Sequence, residues 1–342
     1  LAAQDIYVLN CRVIEYQMNP VITVLLPCYN GASFLVPAIE SVLNQTLAEF
    51  ELLIIDDGSK DDTWQIIQSY RDPRIRAVHQ ENRGLAATLN RGINEASCAL
   101  IARHDQDDLM HPDRLAKQLD FFNGHDGYAL VGTWAHIIEN DCPTLRMHRH
   151  PLSDHALKLM LLFDNPFVHS SVMLSRDAVL AVGGYSEDRT RQPPEDYELW
   201  SRLGRRYKLA NMGEDLTGYR ELAGSMSRSG DSPFLKNVLT ISTENLISVL
   251  QPEVDELTCR ALSALFHGVS LPEIPKLRRA SAIALLESAA LRIQGTGAEP
   301  ELQRICQNLR AHLSSRAIRR YFPPPLLRLA RVLSQGVTSI IR

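Results

Sequence analysis

Asp105, Asp107 and Asp108 fall within four positions of one another, in the run Ile101-Ala102-Arg103-His104-Asp105-Gln106-Asp107-Asp108-Leu109. Carboxylates this close repel, so a fold that gathers them commonly holds a cation there. Hard oxygen ligands suit Mg²⁺ or Mn²⁺, and few protein ligands suit a metal shared with phosphates. A solvated acidic loop or a helix cap would use the same residues. Position favours the metal: the triple follows an apolar run, residues 98–102, that reads as a buried strand. Open α/β sheets bind ligands at the carboxyl ends of their strands. A helix then opens at Pro112-Asp113-Arg114-Leu115, with proline in the first turn.

The elements that must deliver this loop alternate in period. Residues 21–26 are a β-branched apolar run stopped by Pro27, a buried strand. A helix follows from about Ser33, its candidate N-cap, with Phe34, Leu35, Ala38, Ile39, Val42 and Leu43 as its apolar stripe. Residues 51–55 form a second strand ending in Asp56-Asp57-Gly58-Ser59, and Asp61 or Asp62 caps the next helix. A strand over 74–79 and a helix over 84–96 lead into the strand before the acidic loop. The predicted fold is α/β, with a mostly parallel, doubly wound sheet and helices on both faces. Beyond it, residues 128–138 read as a strand, 142–151 as a basic, proline-punctuated loop, 153–163 as a helix and 169–174 as a strand. Gly183-Gly184-Tyr185 ends a short helix, and 186–194 is a polar loop expected to be mobile. Glu195-Asp196 opens a helix carrying Leu199, Trp200 and Leu203, and 207–219 gives one or two strands.

The 342 residues divide into an N-terminal extension (1–20), an α/β domain (21–228), a helical region (234–300) and a basic amphipathic tail (301–342), with 228–233 as linker. Met18 is a plausible natural start, leaving 1–17 as upstream sequence. Net charge is −4, which gives the body no reason to bind nucleic acid. Six scattered cysteines lack zinc spacing or a disulfide framework, so a reducing cytoplasm is expected. No apolar run approaches the ~20 residues of a membrane span, and no signal peptide is evident. Beyond Glu301 there is no acidic residue. Leu326, Leu329, Leu333, Val337 and Ile340 share a helical face opposite Arg328, Arg331 and Arg342. That layout fits a helix lying on an anionic membrane at the inner face of the cytoplasmic membrane, or one packed on its own domain.

Several blocks, taken in order, resemble the family-2 glycosyltransferases, inverting enzymes of the GT-A fold. They are Val24-Leu25-Leu26-Pro27-Cys28-Tyr29-Asn30, Ile54-Ile55-Asp56-Asp57-Gly58-Ser59, Asn82-Arg83-Gly84, Asp105-Gln106-Asp107-Asp108, Asn165-Pro166-Phe167-Val168-His169, Gly183-Gly184-Tyr185 and Glu195-Asp196-Tyr197-Glu198-Leu199-Trp200. The resemblance covers about 21–228. It implies transfer of a sugar from a nucleotide diphosphate sugar, most readily a UDP-sugar, to a glycan acceptor. The tail points to a lipid-linked acceptor in surface polysaccharide synthesis. Pro27, Tyr29, Asn30, Asp56, Asp57 and Arg83 would bind the donor and Asp105 and Asp107 the Mg²⁺ or Mn²⁺, while Asp108 would be either another ligand or a group that supports the ligands and binds the donor sugar. His169 would touch the acceptor or a phosphate, or be structural. Asp196 would be the catalytic base and Glu195 would hold the acceptor, although both residues also suit a helix N-terminus. Many relatives carry a histidine after the pair that here is Tyr219-Arg220; its absence leaves Arg228 to supply charge. Alternatives are transfer to a polyprenyl phosphate and a non-catalytic nucleotide-sugar binder. A nicotinamide dehydrogenase is disfavoured because the first strand ends in Pro-Cys-Tyr-Asn rather than GxGxxG.

Overall fold

The computed structural model describes residues 19–222 and 232–314, apart from 275, 296 and 298. The N-terminal half builds parallel strands β1 (Ile22–Cys28), β2 (Phe50–Asp56), β3 (Ile75–His79) and β4 (Leu100–Arg103). They are linked by helices α1 (Ala32–Leu43), α2 (Thr63–Ser69) and α3 (Leu85–Glu95). After β4 come β5 (Leu109–Met110), α4 (Arg114–Gly124), β6 (Tyr128–Glu139), β7 (Cys142–His148) and α5 (Asp154–Leu161). Then follow β8 (Met173–Ser175), α6 (Arg176–Ala181), α7 (Glu195–Gly204) and β9 (Lys208–Arg220). Helices α8 (Ser232–Leu250), α9 (Glu256–Phe266), α10 (Arg279–Gln294) and α11 (Pro300–Ser314) complete the described chain.

One sheet has the order β3-β2-β1-β4-β8-β6-β9-β5, with β7 on β6. The expected parallel pairing holds across β3-β2-β1-β4. Beyond it the sheet is mixed: β8 runs antiparallel to β4 and β6, while β9 runs parallel to β6 and antiparallel to β5. Every residue of β1 is buried, as a central parallel strand requires.

Several sequence-based boundaries need correction. β1 does not stop at Pro27; it runs through it to Cys28, and Pro27 stays in register with Ile55. Gly31 takes the N-cap position of α1 and Ser33 lies inside the helix. The Asp61 carboxylate accepts from the Thr63 amide at 3.1 Å, so it serves the start of α2 although Asp62 holds the N-cap position. Pro112 lies just outside α4, whose N-cap is Asp113. The basic loop expected over 142–151 is mostly strand β7, which the β6 edge recruits. The strand expected from His169 begins as a 3-10 turn, His169–Ser171, and only Met173–Ser175 is extended. Ser232 belongs to α8 rather than a linker. The polar loop holds a 3-10 turn, Arg189–Arg191.

Two apolar clusters flank the sheet, one with α1 and α2, the other with α3 and α7. A third joins α5 to the C-terminal helices through Phe163, Leu246, Leu250, Leu262, Leu286, Leu302 and Leu309. Residues 301–314, expected in the tail, therefore belong to the helical region: α11 packs there, and Glu301 accepts from the Leu152 and Ser153 amides. Residues 1–18, Arg228 and the amphipathic stretch 326–342 lie outside the described residues. No described helix is long and apolar enough to cross a membrane.

Candidate active site

The carboxyl ends of β1, β2 and β4 meet at one edge. Gln106 stitches the acidic loop to the end of β1: its Oε1 accepts from the Tyr29 amide at 2.8 Å and its Nε2 donates to the Tyr29 carbonyl at 3.2 Å. Gly31 permits this approach, since a Cβ there would lie 2.2 Å from Gln106 Oε1. Asn30 sits at φ 49°. Its amide donates to Ser59 and its side-chain oxygen accepts from the Lys60 amide, so it joins the β1 and β2 loops. The Tyr29 side chain is exposed just past the end of β1, and Arg83 is exposed on the approach to α3. Pro27 is buried within β1.

Asp56 and Asp57 are at the edge but engaged from within. Asp56 is fully buried; it accepts from the Ser59 amide and hydroxyl, and its Oδ2 lies 2.6 Å from His79 Nδ1. Asp57 Oδ1 accepts from Gln80 Nε2 and the Arg83 amide, and Oδ2 accepts from the Gly84 amide at 2.9 Å. It therefore shapes the turn that opens α3, where Gly84 takes φ 91°, open to glycine at little cost. The turn chemistry of Asp-Gly-Ser is accordingly part of what these residues do.

The acidic loop separates into unequal members. Arg103, the last residue of β4, is buried and forms an ion pair with Asp105. Burial disfavours its charge, yet the Asp105 carboxylate keeps the guanidinium above its ordinary value. Asp107 is pushed up to about 6 by burial and then by Asp105. Asp108 is 1% exposed; burial, then Asp105 and Asp107, raise it well above the carboxylate range. Its Oδ1 accepts from the Arg220 amide at 2.8 Å, so it ties the loop to β9 and faces inward. Arg220 also donates to the Asp107 carbonyl and lies over the Phe34 ring, 4.7 Å from its centroid. Among the described residues no group of three or more His, Cys, Asp or Glu side chains is placed to hold a metal. The protein share of a cation site would be Asp105 and Asp107. Asp105 and Asp107 offer the hard carboxylate oxygens that a divalent cation takes.

Glu195 and Asp196 open α7, where exposed amides favour negative charge. Asp196 Oδ2 accepts from Asn165 Nδ2 at 2.6 Å, and Oδ1 from the Tyr197 amide at 2.7 Å. Glu195 is raised to about 7 by burial, then by Asp196; Arg103 opposes this and Asp105 adds to it. His169 Nε2 meets the Tyr185 hydroxyl at 2.8 Å, and the ring sits against Tyr185 and Trp200. Burial, then Arg103, hold its pKa well below the usual range, which keeps the ring neutral. Sequence reasoning gave no role to Arg103, Asn165, His79 or Gln106. For Arg103 there was a signal: a cation closing an apolar strand directly before three acids.

Residues 23–203 match the model of glycosyl transferase family 2. The chain is 32% identical over 238 residues to the putative glycosyltransferase EpsE of Bacillus subtilis, covering 68% of this chain and 82% of that protein. It is 29% identical over 207 residues to the O-antigen biosynthesis glycosyltransferase WbnJ of Escherichia coli, covering 58% and 79%. The fold resembles Staphylococcus aureus TarS 1-349, solved with UDP-GlcNAc, at TM-score 0.57 and 15% identity, covering 88% and 93%. It also resembles the Pyrobaculum calidifontis mannosyltransferase PcManGT, solved with GDP-Man and Mn²⁺, at TM-score 0.52 and 15% identity, covering 95% and 88%. With an α/β sheet of this order and acidic groups at its carboxyl edge, the chain belongs to the family-2 glycosyltransferases and has their GT-A fold.

Proposed function

We propose that this enzyme moves a sugar from a nucleotide diphosphate sugar to a glycan acceptor with inversion, in bacterial surface-polysaccharide synthesis. The observation that carries this reading is the Asp196 carboxylate at the start of α7, held by Asn165 Nδ2 at 2.6 Å and by the Tyr197 amide at 2.7 Å. It lies inside the stretch that matches the family, as does the acidic loop after β4. The O-antigen relative supports the pathway class. The nucleotide sugars bound by the two structural neighbours support the donor class, a UDP-sugar first.

Tyr29 offers a ring to the base, Asn30 and the Asp56-Asp57 turn frame the nucleoside side, and Arg83 meets phosphate. Asp105 and Asp107 hold Mg²⁺ or Mn²⁺, which when bound offsets the charge gathering on the leaving diphosphate. Asp196 takes the proton of the acceptor hydroxyl as that oxygen bonds to the anomeric carbon. The bond to the diphosphate breaks on the opposite face, and its electron pair leaves with the diphosphate. Asn165 and the α7 amides hold the carboxylate in place for this. Glu195 lies beside it to hold the acceptor. The acceptor is lipid-linked, and the tail over 326–342 docks the enzyme on anionic lipid at the cytoplasmic face.

The experiment is metal-dependent hydrolysis across a panel of UDP-, GDP- and dTDP-sugars. Turnover of one donor with Mg²⁺ or Mn²⁺, lost in excess chelator and in Asp196→Asn, is expected. General base loss costs ~10²–10⁴-fold. Full turnover in chelator would overturn the metal assignment, and near-normal turnover in Asp196→Asn the base.

A further inference from the structure

The segment that leads into Asp196 is held from outside the region matched to the family, by α8. Arg191, in the 3-10 turn of the polar loop, meets Glu244 of α8 with both terminal nitrogens, Nη1 to Oε1 at 2.9 Å and Nη2 to Oε2 at 2.8 Å. Two residues on, the Pro193 carbonyl accepts from Asn237 Nδ2 at 3.1 Å. On the far side of Asp196, Asn245 of α8 donates to Ser201 Oγ at 2.8 Å and accepts from Arg205 at 2.8 Å. The same helix is anchored to the end of α5, where Ser242 and Asn245 donate to the Leu162 and Leu161 carbonyls, both at 2.7 Å. Asn237, Ser242 and Asn245 are buried, so this is a polar seam rather than a chance surface contact.

α8 therefore grips the chain on both sides of Asp196: at Arg191 and Pro193 before it, at Ser201 and Arg205 after it. We infer that the Arg191–Glu244 pair, backed by Asn237, makes α8 a positioning element for the Asp196 carboxylate; this rests on the reading of Asp196 as the base. Two features distinguish positioning from bulk stabilisation. The fork of a guanidinium on a carboxylate fixes orientation as well as distance. The pair is also partly open to water, with side chains 30% and 39% exposed, where an ion pair adds little to stability. Its effect belongs in turnover, because small displacements of a reacting group cost rate steeply.

The test uses the full chain with Mn²⁺ and whichever sugar nucleotide of the panel is hydrolysed. Arg191→Met, Glu244→Gln, the double variant, Arg191→Lys and Asp196→Asn are compared for kcat, donor KM, thermal midpoint and amide exchange over 186–196. Each single neutral variant is expected to lose roughly 10-fold in kcat through misplacement, with donor KM and midpoint held. The double variant should lose no more than Arg191→Met, which also gives up the 3.8 Å contact with Glu198 of α7. Exchange over 186–196 should quicken. Arg191→Lys should recover only part, because an ammonium cannot reproduce the fork. Wild-type kcat in the single variants, a double loss equal to the product of the single losses, or a loss that tracks a fallen midpoint would each overturn the positioning role. Asp196→Asn at wild-type rate would overturn the base reading and this role with it. An inactive Asp196→Asn beside a fully active Arg191→Met would overturn the positioning role alone.

Discussion

Asn165 donates from Nδ2 to Asp196 Oδ2 across 2.6 Å, linking the loop after α5 to the first turn of α7. The bond fixes which way the carboxylate faces, while the Tyr197 amide holds the other oxygen at 2.7 Å. Asn165→Ala should leave donor KM near wild type and lower kcat by roughly 10-fold through loss of orientation. Steady-state donor hydrolysis checks this. An unchanged kcat would mean that the bond does not orient the base.

Glu195 gives the pH prediction. Its folded pKa is raised to about 7 from the ordinary 4.5, chiefly by burial and next by Asp196. A raised carboxyl binds its proton more tightly folded than unfolded, so its contribution is fully present below the unfolded value. It is lost as pH rises through about 4.5 to 7. The thermal midpoint of the metal-free enzyme should therefore fall from pH 5 to pH 8 more in wild type than in Glu195→Gln. Parallel curves for the two proteins would remove Glu195 from the account.

Arg114 is a buried cation whose hydrogen bonds run to neutral acceptors. It donates to the carbonyls of Ser170, Arg103 and Val172 at 2.6, 2.9 and 3.2 Å, and to Gln118 Oε1 at 3.0 Å. Burial, then Arg103, pulls its pKa down to about 9, which still leaves it charged at neutral pH. It thereby locks the end of β4 to the 3-10 turn that carries His169. Arg114→Met would strand several buried acceptors at ~1–3 kcal/mol each, so a loss of at least ~3 kcal/mol is expected in denaturant titration. A loss under ~1 kcal/mol would show that the site rebuilds without it.

Much of this is legible in the sequence. The parallel half of the sheet was visible because its strands are continuous apolar runs and its helices carry 3.6-residue stripes. The acidic loop and the Glu195-Asp196 pair stood out by type. The mixed half was harder to read. Strand β7 carries polar and basic residues on a half-open edge, so Cys142–His148 resembles a loop until β6 supplies its hydrogen bonds. Partners distant in the chain were not readable at all. Asp108 looks like its neighbours in sequence, yet the fold turns it inward to the Arg220 amide, 112 residues away. Asn165 and Glu244 acquire their roles only through partners distant in the chain, Asp196 and Arg191.

The tail over 326–342 carries a prediction from sequence alone. In the sequence, Arg328, Arg331 and Arg342 fall at helical spacing opposite Leu326, Leu329 and Leu333, with no acid after Glu301. Each basic residue at an anionic surface adds on the order of 1 kcal/mol, weakened by salt. Full-length protein should co-sediment with anionic vesicles and a chain ending before Leu326 should not, while both hydrolyse donor equally. Equal sedimentation of the two forms would leave the tail as a packing helix.

The central claim is in-line displacement with Asp196 activating the attacking oxygen from the face opposite the diphosphate. Real-time proton NMR of donor hydrolysis tests it most directly, because water then takes the place of the acceptor. The sugar released first should carry the anomeric configuration opposite to that of the donor, before mutarotation mixes the two. First release of the donor's own anomer would contradict single displacement at this site.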